Sequence, residues 1–213
     1  FTLNFSGKEM SEIVDRLKED VHPLGYYVIM RGSKLFLGGS EFALRFSSVL
    51  FGIASILLIY FVGKELFSRR VGLLASLFLS LSYTAIVYSQ EAKMYSMFMA
   101  AFLFSFLYFV KLLKKTSWKN VFFLSLATGL LLHTHVLGLL ILSCYMGYYF
   151  IGALTKKTYK VDLASIFSIK IKEVYNLKRF FVFLLLTFIL YLPWLKMFLF
   201  YQFPLLIHTL QFK

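Results

Sequence analysis

Glu91 and Lys93 stand two residues apart in Tyr88-Ser89-Gln90-Glu91-Ala92-Lys93-Met94-Tyr95, a polar stretch set between two apolar runs. The run before it, Val71 to Tyr88, and the run after it, Tyr95 to Leu113, are each long enough to cross a bilayer as a helix. A plain turn between membrane helices needs only Gly, Ser, Asn or Pro. An amide, a carboxylate, an ammonium and two phenols at a membrane boundary are costlier, and ionisable groups there mark functional sites. A carboxylate can move a proton, and an ammonium can stabilise a developing anion. If the stretch is helical, Tyr88, Glu91 and Tyr95 share one face, and Gln90 and Lys93 share a neighbouring one. The competing reading is a solvated interfacial loop with aromatic anchors.

The elements that must position this stretch are membrane helices. Of 213 residues, 60% are hydrophobic and 15% charged, with a mean hydropathy of +0.76. Soluble domains are roughly half apolar and about a quarter charged. The fold class expected is therefore all-α, a polytopic membrane protein with about six transmembrane helices. The formal charge of +13 does not point to nucleic acid, because the Lys and Arg residues cluster in short loops between apolar runs. Cys144 is the lone cysteine, so no internal disulfide forms, and a small buried hydrophobe is its expected role. The chain has neither an initiator Met nor a signal-peptide pattern at Phe1, and we read it as a piece of a longer protein.

Residues 1–45 read as juxtamembrane helices and 46–213 as the transmembrane domain. Ser6-Gly7-Lys8-Glu9 forms a capping box for an amphipathic surface helix that stops near Glu19-Asp20. A second helix follows Pro23, carries Tyr26 and Tyr27, and ends at Gly38-Gly39. Spans are expected near 46–62, 71–88, 95–113, 120–133, 136–154 and 180–197. Val121 to Leu154 is a 34-residue apolar block. As one helix it would reach about 50 Å, too long for a hydrocarbon core of about 30 Å. His133-Thr134-His135 interrupts it, giving two crossings or a re-entrant segment. Thr155 to Arg179 is a basic connection that has room for a short surface helix, and Pro193-Trp194 caps the last span. The positive-inside pattern puts Lys64 to Arg70, Lys111 to Lys119 and Thr155 to Arg179 in the cytoplasm. It puts 1–45, Tyr88 to Tyr95, His133 to His135 and Pro193 onward on the other side. All the chemically capable polar residues then face one way, which implies a multi-pass protein of the cytoplasmic or plasma membrane with an extracytoplasmic site.

Several segments carry a family resemblance. Asp20-Val21-His22-Pro23-Leu24-Gly25-Tyr26-Tyr27 resembles the "DxHPPLYY" segment of polyprenyl-phosphate-dependent glycosyltransferases of the GT-C class, in the dolichyl-phosphate-mannose protein mannosyltransferase-like branch. Ser40 to Ser48 is similar to that family's "SEFALRLPS", and Tyr88 to Tyr95 to its "YSQEARMY". His133-Thr134-His135 sits where its members often read "YTHY", and Leu192-Pro193-Trp194-Leu195 matches "LPWL". Order and spacing agree from Phe1 to about Leu195. Leu24 replaces the second Pro of "HPP", and Lys93 replaces an Arg, keeping the charge but losing the bidentate fork for phosphate. The family's catalytic Asp, in an Asp-Glu motif after the first transmembrane helix, has no counterpart here, and the resemblance implies a position upstream of Phe1.

The resemblance implies transfer of a sugar from a polyprenyl-phosphate donor to an acceptor hydroxyl of a glycan, lipid or protein outside the cytoplasm, with membrane lipid as the surrounding partner and no nucleic acid. Glu91 and Asp20 are then the catalytic candidates within this chain. Lys93, His22, Arg45, His133 and His135 are candidates for the donor phosphate, against ordinary roles as a snorkelling Lys, a helix cap, a boundary charge and a polar turn. Tyr26, Tyr27, Tyr88, Gln90 and Tyr95 are candidate substrate contacts, the tyrosines otherwise serving as interfacial anchors. No cofactor is required by the pattern, but Asp20, His22 and Glu91 suit a divalent metal. Two other classes fit the composition: a transporter or flippase for a lipid-linked substrate, though no internal repeat is visible, and a non-catalytic membrane subunit that kept the fold.

Overall fold

The computed structural model describes residues 23–155, 161–163, 167–169 and 175–204. The surface helix expected after Ser6 and the segment holding Asp20 and His22 lie outside them. The described chain is a helical bundle: α1 (Gly25–Leu37), α2 (Glu41–Leu66), α3 (Arg69–Ser80), α4 (Tyr83–Gln90), α5 (Tyr95–Lys114), α6 (Trp118–Leu132), α7 (Leu137–Thr155) and α8 (Leu177–Met197), followed by a π-helical turn, Phe198–Gln202.

Most of these helices begin at a small polar residue whose side chain accepts a backbone N–H that the first turn leaves unpaired. Ser40 caps Ala43 at 3.2 Å, Ser117 caps Asn120 at 3.2 Å and Asn176 caps Arg179 at 3.1 Å. Ser68 and Ser82 cap α3 and α4 in the same way. Gly38, at φ 85°, takes the left-handed conformation that ends α1.

α2, α5, α7 and α8 are each long and apolar enough to cross a membrane, and α3 with α4 makes a fifth crossing if the bent pair is taken as one. The stretch expected as one span, 71–88, is built from two helices. It breaks at Leu81-Ser82 with a 61° bend, because Ser82 caps a new helix. The apolar block 121–154 divides at the His-Thr-His turn into α6 and α7, and the 15-residue α6, about 22 Å long, is the short one. In the basic connection, Val161–Leu163 (β1) pairs antiparallel with Phe167–Ile169 (β2) where a short helix was expected. Cys144 is exposed on the outside of α7, not buried. A membrane helix turns apolar side chains outward into lipid, so hydrophobicity does not imply burial there.

α2 and α3 approach closely at two glycines. A Cβ on Gly63 would lie 2.8 Å from Gly72 Cα, and one on Gly72 would lie 2.5 Å from the Tyr60 carbonyl oxygen. Backbone contact of this kind is how membrane helices gain packing without a hydrophobic drive. Gly72→Leu is expected to force the pair apart and destabilise the protein by about 3 kcal/mol, read as a lower unfolding temperature in detergent.

The bundle has two distinct ends. At one, Lys114 pairs with Glu65 at 3.1 Å, the Arg179 guanidinium donates to the Thr116 carbonyl and stands over the Trp118 ring, and Asn120 donates to the Lys111 and Lys115 carbonyls. At the other, an aromatic and methionine cluster joins Tyr26, Tyr27 and Met30 of α1 to Leu44, Met94, Met97, Leu132, Tyr191, Trp194 and Met197.

Candidate functional site

The motif-bearing segments meet at this second end. α1 is fixed to the His-Thr-His turn by its first residue: the Gly25 N–H donates to the His133 carbonyl at 2.9 Å. The approach is so close that a Cβ on Gly25 would lie 2.4 Å from that oxygen. One residue on, the buried Tyr26 hydroxyl lies 3.0 Å from Ser48 Oγ on α2, and Ser48 Oγ lies 3.4 Å from the Lys93 carbonyl oxygen. A carbonyl only accepts, so Ser48 donates to Lys93 and Tyr26 donates to Ser48. Burial pushes the Tyr26 phenol up, which keeps it a donor. The chain Tyr26–Ser48–Lys93 thus ties α1, α2 and the 91–94 turn together. Tyr26→Phe is expected to leave Ser48 short of a partner, to cost about 1 kcal/mol and to lower the unfolding temperature by a few degrees.

The conditional helix through Tyr88 to Tyr95 is not formed. α4 ends at Gln90, which is exposed, and Glu91 to Met94 form a turn in which the Lys93 N–H donates to the Glu91 carbonyl at 2.8 Å. Tyr88 and Tyr95 still meet, with ring centroids 4.6 Å apart, because the turn folds α5 back beside α4. Lys93 Nζ is 3.1 Å from Glu91 Oε2 and 5.9 Å from the Tyr95 ring centre. The hydrogen bond that Lys93 donates to Glu91, and the charge of that carboxylate, hold the half-exposed Lys93 ammonium above its ordinary pKa of 10.5. A raised folded-state pKa for a cation adds stability that is present below the ordinary value and lost as pH rises through the folded one. Lys93 is accordingly expected to stay charged throughout the neutral range, so a transfer-rate pH profile of Lys93→Met should show no lost step between about pH 6 and 9.

Both histidines have structural bonds. His133 Nε2 lies 3.0 Å from the Leu190 carbonyl oxygen, so this nitrogen carries the proton. That carbonyl lies on the turn that Pro193 distorts, since proline lacks the N–H that would close the bond to Ile189. His135 Nδ1 accepts the Leu137 N–H at 3.2 Å at the start of α7, and its ring lies 5.3 Å from that of Phe98. The imidazole is therefore bare at Nδ1. Arg45 pairs with Glu41 one turn before it on α2, and both are largely exposed. Of the metal candidates, Asp20 and His22 lie outside the described residues, and Glu91 has an ammonium beside it, not a second ligand. No group of three or more His, Cys, Asp or Glu side chains clusters among the described residues.

Between α1, α5, α6 and α8 lies a cavity of about 740 Å³. Gly25, Val28, Met97, Leu130, His133 and Trp194 contribute to its largely apolar wall. Lys196 of α8 also lines it. Sequence reasoning missed Lys196, because a Lys one turn after Pro193-Trp194 reads as a boundary charge; the signal available was its place beside the "LPWL"-like segment.

The family model for dolichyl-phosphate-mannose-protein mannosyltransferase matches residues 20–171, well over half of the chain. The chain belongs to that family. It is a multi-pass integral membrane protein of the GT-C glycosyltransferase type, whose family implies a lipid-linked sugar donor. The match runs through the "HPP"-like, "SEFALR"-like, "YSQEAR"-like and His-Thr-His segments, and the cavity joins two of these to Pro193-Trp194, beyond its limit. No curated protein and no solved structure matches the chain.

Proposed function

We propose that the protein transfers a sugar from a polyprenyl-phosphate donor to an acceptor hydroxyl at the extracytoplasmic end of the bundle. The observation that carries this reading is the 740 Å³ apolar cavity, which opens beside the α1 and His-Thr-His contact at the end opposite the basic loops. In the reaction the acceptor oxygen attacks the anomeric carbon, and the bond from that carbon to the phosphate oxygen breaks. Polyprenyl phosphate leaves with the electron pair, and the acceptor proton passes to a carboxylate.

Glu41 and Glu91 are the described carboxylates at this end. Glu41 is exposed and committed to Arg45. Glu91 is partly shielded, paired with Lys93 and placed on the turn that the Tyr26–Ser48 bond holds, so we assign it the acceptor side. Asp20, just before α1, is the second candidate. A divalent metal, if used, would draw on Asp20 and His22. Tyr88, Tyr95 and Gln90 border the same turn as sugar contacts.

The test is a panel of polyprenyl-phosphate sugars offered to the full-length protein in nanodiscs with acceptor extracts. Chromatography follows the fate of the sugar–phosphate bond. Glycosylated acceptor and free polyprenyl phosphate appearing in step support transfer. Donor that crosses to the other leaflet intact would show a flippase, and donor left untouched across the panel would show a non-catalytic subunit.

A further inference from the structure

The cavity is walled mainly by aliphatic, aromatic and methionine side chains, yet a lipid-linked sugar brings a phosphate to it. A negative charge against such a wall needs a cation within reach. Lys93 does not line the cavity, and its ammonium is held by Glu91. His133 lines it, but its Nε2 proton is committed to the Leu190 carbonyl. Among the described lining residues Lys196 is the Lys or Arg, and it has no ion-pair partner among the described residues. It lies near the C-terminal end of α8. Pro193 lies one turn before it, and the π-helical turn Phe198–Gln202 begins two residues after it and puts Tyr201 on the cavity wall. π-helical turns are rare and recur at functional sites.

The cavity also has somewhere to send a chain. Leu130 lines both it and a second apolar groove of about 300 Å³ between α2 and α5, where Ala54, Ala100 and Ala101 leave space beside Phe51 and Phe104. A cation beside an apolar cavity that adjoins an apolar groove along the bundle is complementary to one kind of molecule: a phosphate on a long hydrocarbon.

We propose that Lys196 binds the phosphate of a polyprenyl-phosphate lipid whose chain lies in this cavity and passes Leu130 into the α2–α5 groove. The assignment rests on the lipid-linked donor proposed above. Lys196 is a binding residue that sets the preference for a phosphorylated lipid, distinct from the Glu91–Lys93 pair on the neighbouring turn.

The test is lipid binding by the full chain, read by native mass spectrometry, with long-chain polyprenyl monophosphate, the matching polyprenol and inorganic phosphate as probes. Wild type should prefer the phosphate over the alcohol by at least about tenfold, the scale of one hydrogen bond to a charged group. Lys196→Ala should lose that preference and Lys196→Arg should keep most of it, with unfolding temperatures unchanged in both. Inorganic phosphate at equal concentration should not displace the lipid. An undiminished preference in Lys196→Ala overturns the assignment, as does equal binding of phosphate and alcohol by wild type or displacement by inorganic phosphate. Lysine-dependent binding without sugar transfer would leave the phosphate site standing and sink the proposed reaction. Active transfer with an undiminished preference in Lys196→Ala would do the reverse.

Discussion

Glu91→Gln in the full-length protein is expected to reduce sugar transfer by at least about a hundredfold while expression and unfolding temperature stay unchanged. The change keeps size and hydrogen-bonding reach and removes the charge and the capacity to take a proton. Glu91 has two neighbours that make the effect specific. Lys93, 3.1 Å away, is neutralised by it, so Gln leaves an ammonium with nothing opposite on a half-exposed turn. Because that pair is exposed, its loss costs the fold little. The turn itself is held by Ser48 on the Lys93 carbonyl and by the Lys93 N–H on the Glu91 carbonyl, neither of which uses the carboxylate. A loss of activity with the fold intact therefore isolates the chemistry. A wild-type rate in Glu91→Gln would remove Glu91 from the site.

The second large effect is expected at Gly25. A side chain there must displace the His133 carbonyl oxygen from 2.4 Å, and that oxygen is backbone, so no rotamer change relieves the clash. Gly25→Val is expected to break the Gly25–His133 bond, lift α1 off the His-Thr-His turn, open the 740 Å³ cavity and cost about 3 kcal/mol or more. The readouts are a lower unfolding temperature and loss of polyprenyl-phosphate binding. Gly32, also on α1, is the control: a Cβ there meets nothing within 4 Å, so Gly32→Ala should be neutral or slightly stabilising through helix propensity. Equal tolerance of both substitutions would show that the α1 contact is not what closes the cavity.

Much of the frame could be read in advance because the bilayer permits few alternatives. Length and the His-Thr-His interruption divide the block 121–154, since one helix could not fit the hydrocarbon core, and among the described residues Lys114 and Arg179 lie at the end away from Glu91 and the His-Thr-His turn. Other features had signals that a hydropathy reading overlooks. The break inside 71–88 is marked by Ser82, an ordinary helix cap with no Gly or Pro beside it. Val161-Asp162-Leu163 and Phe167-Ser168-Ile169 alternate apolar and polar residues, the period of a strand. The last span is expected near 180–197 and α8 runs through Met197, so it is the packing of α8 against the cavity, not its length, that brings Lys196 there. The contacts that build the site were not legible at all. Gly25 to His133, Tyr26 to Ser48 and His133 to Leu190 join positions distant in sequence, and only packing brings them together.

The central claim is chemical: the bond between sugar and lipid phosphate is broken at this end of the bundle. The direct measurement is the molar ratio of polyprenyl phosphate released to sugar transferred by the full-length protein in nanodiscs, run beside Glu91→Gln. Wild type should give equal amounts of the two products, and Glu91→Gln at most about a hundredth of either. Donor recovered intact would contradict the claim, and identical product from wild type and Glu91→Gln would remove Glu91 from the reaction.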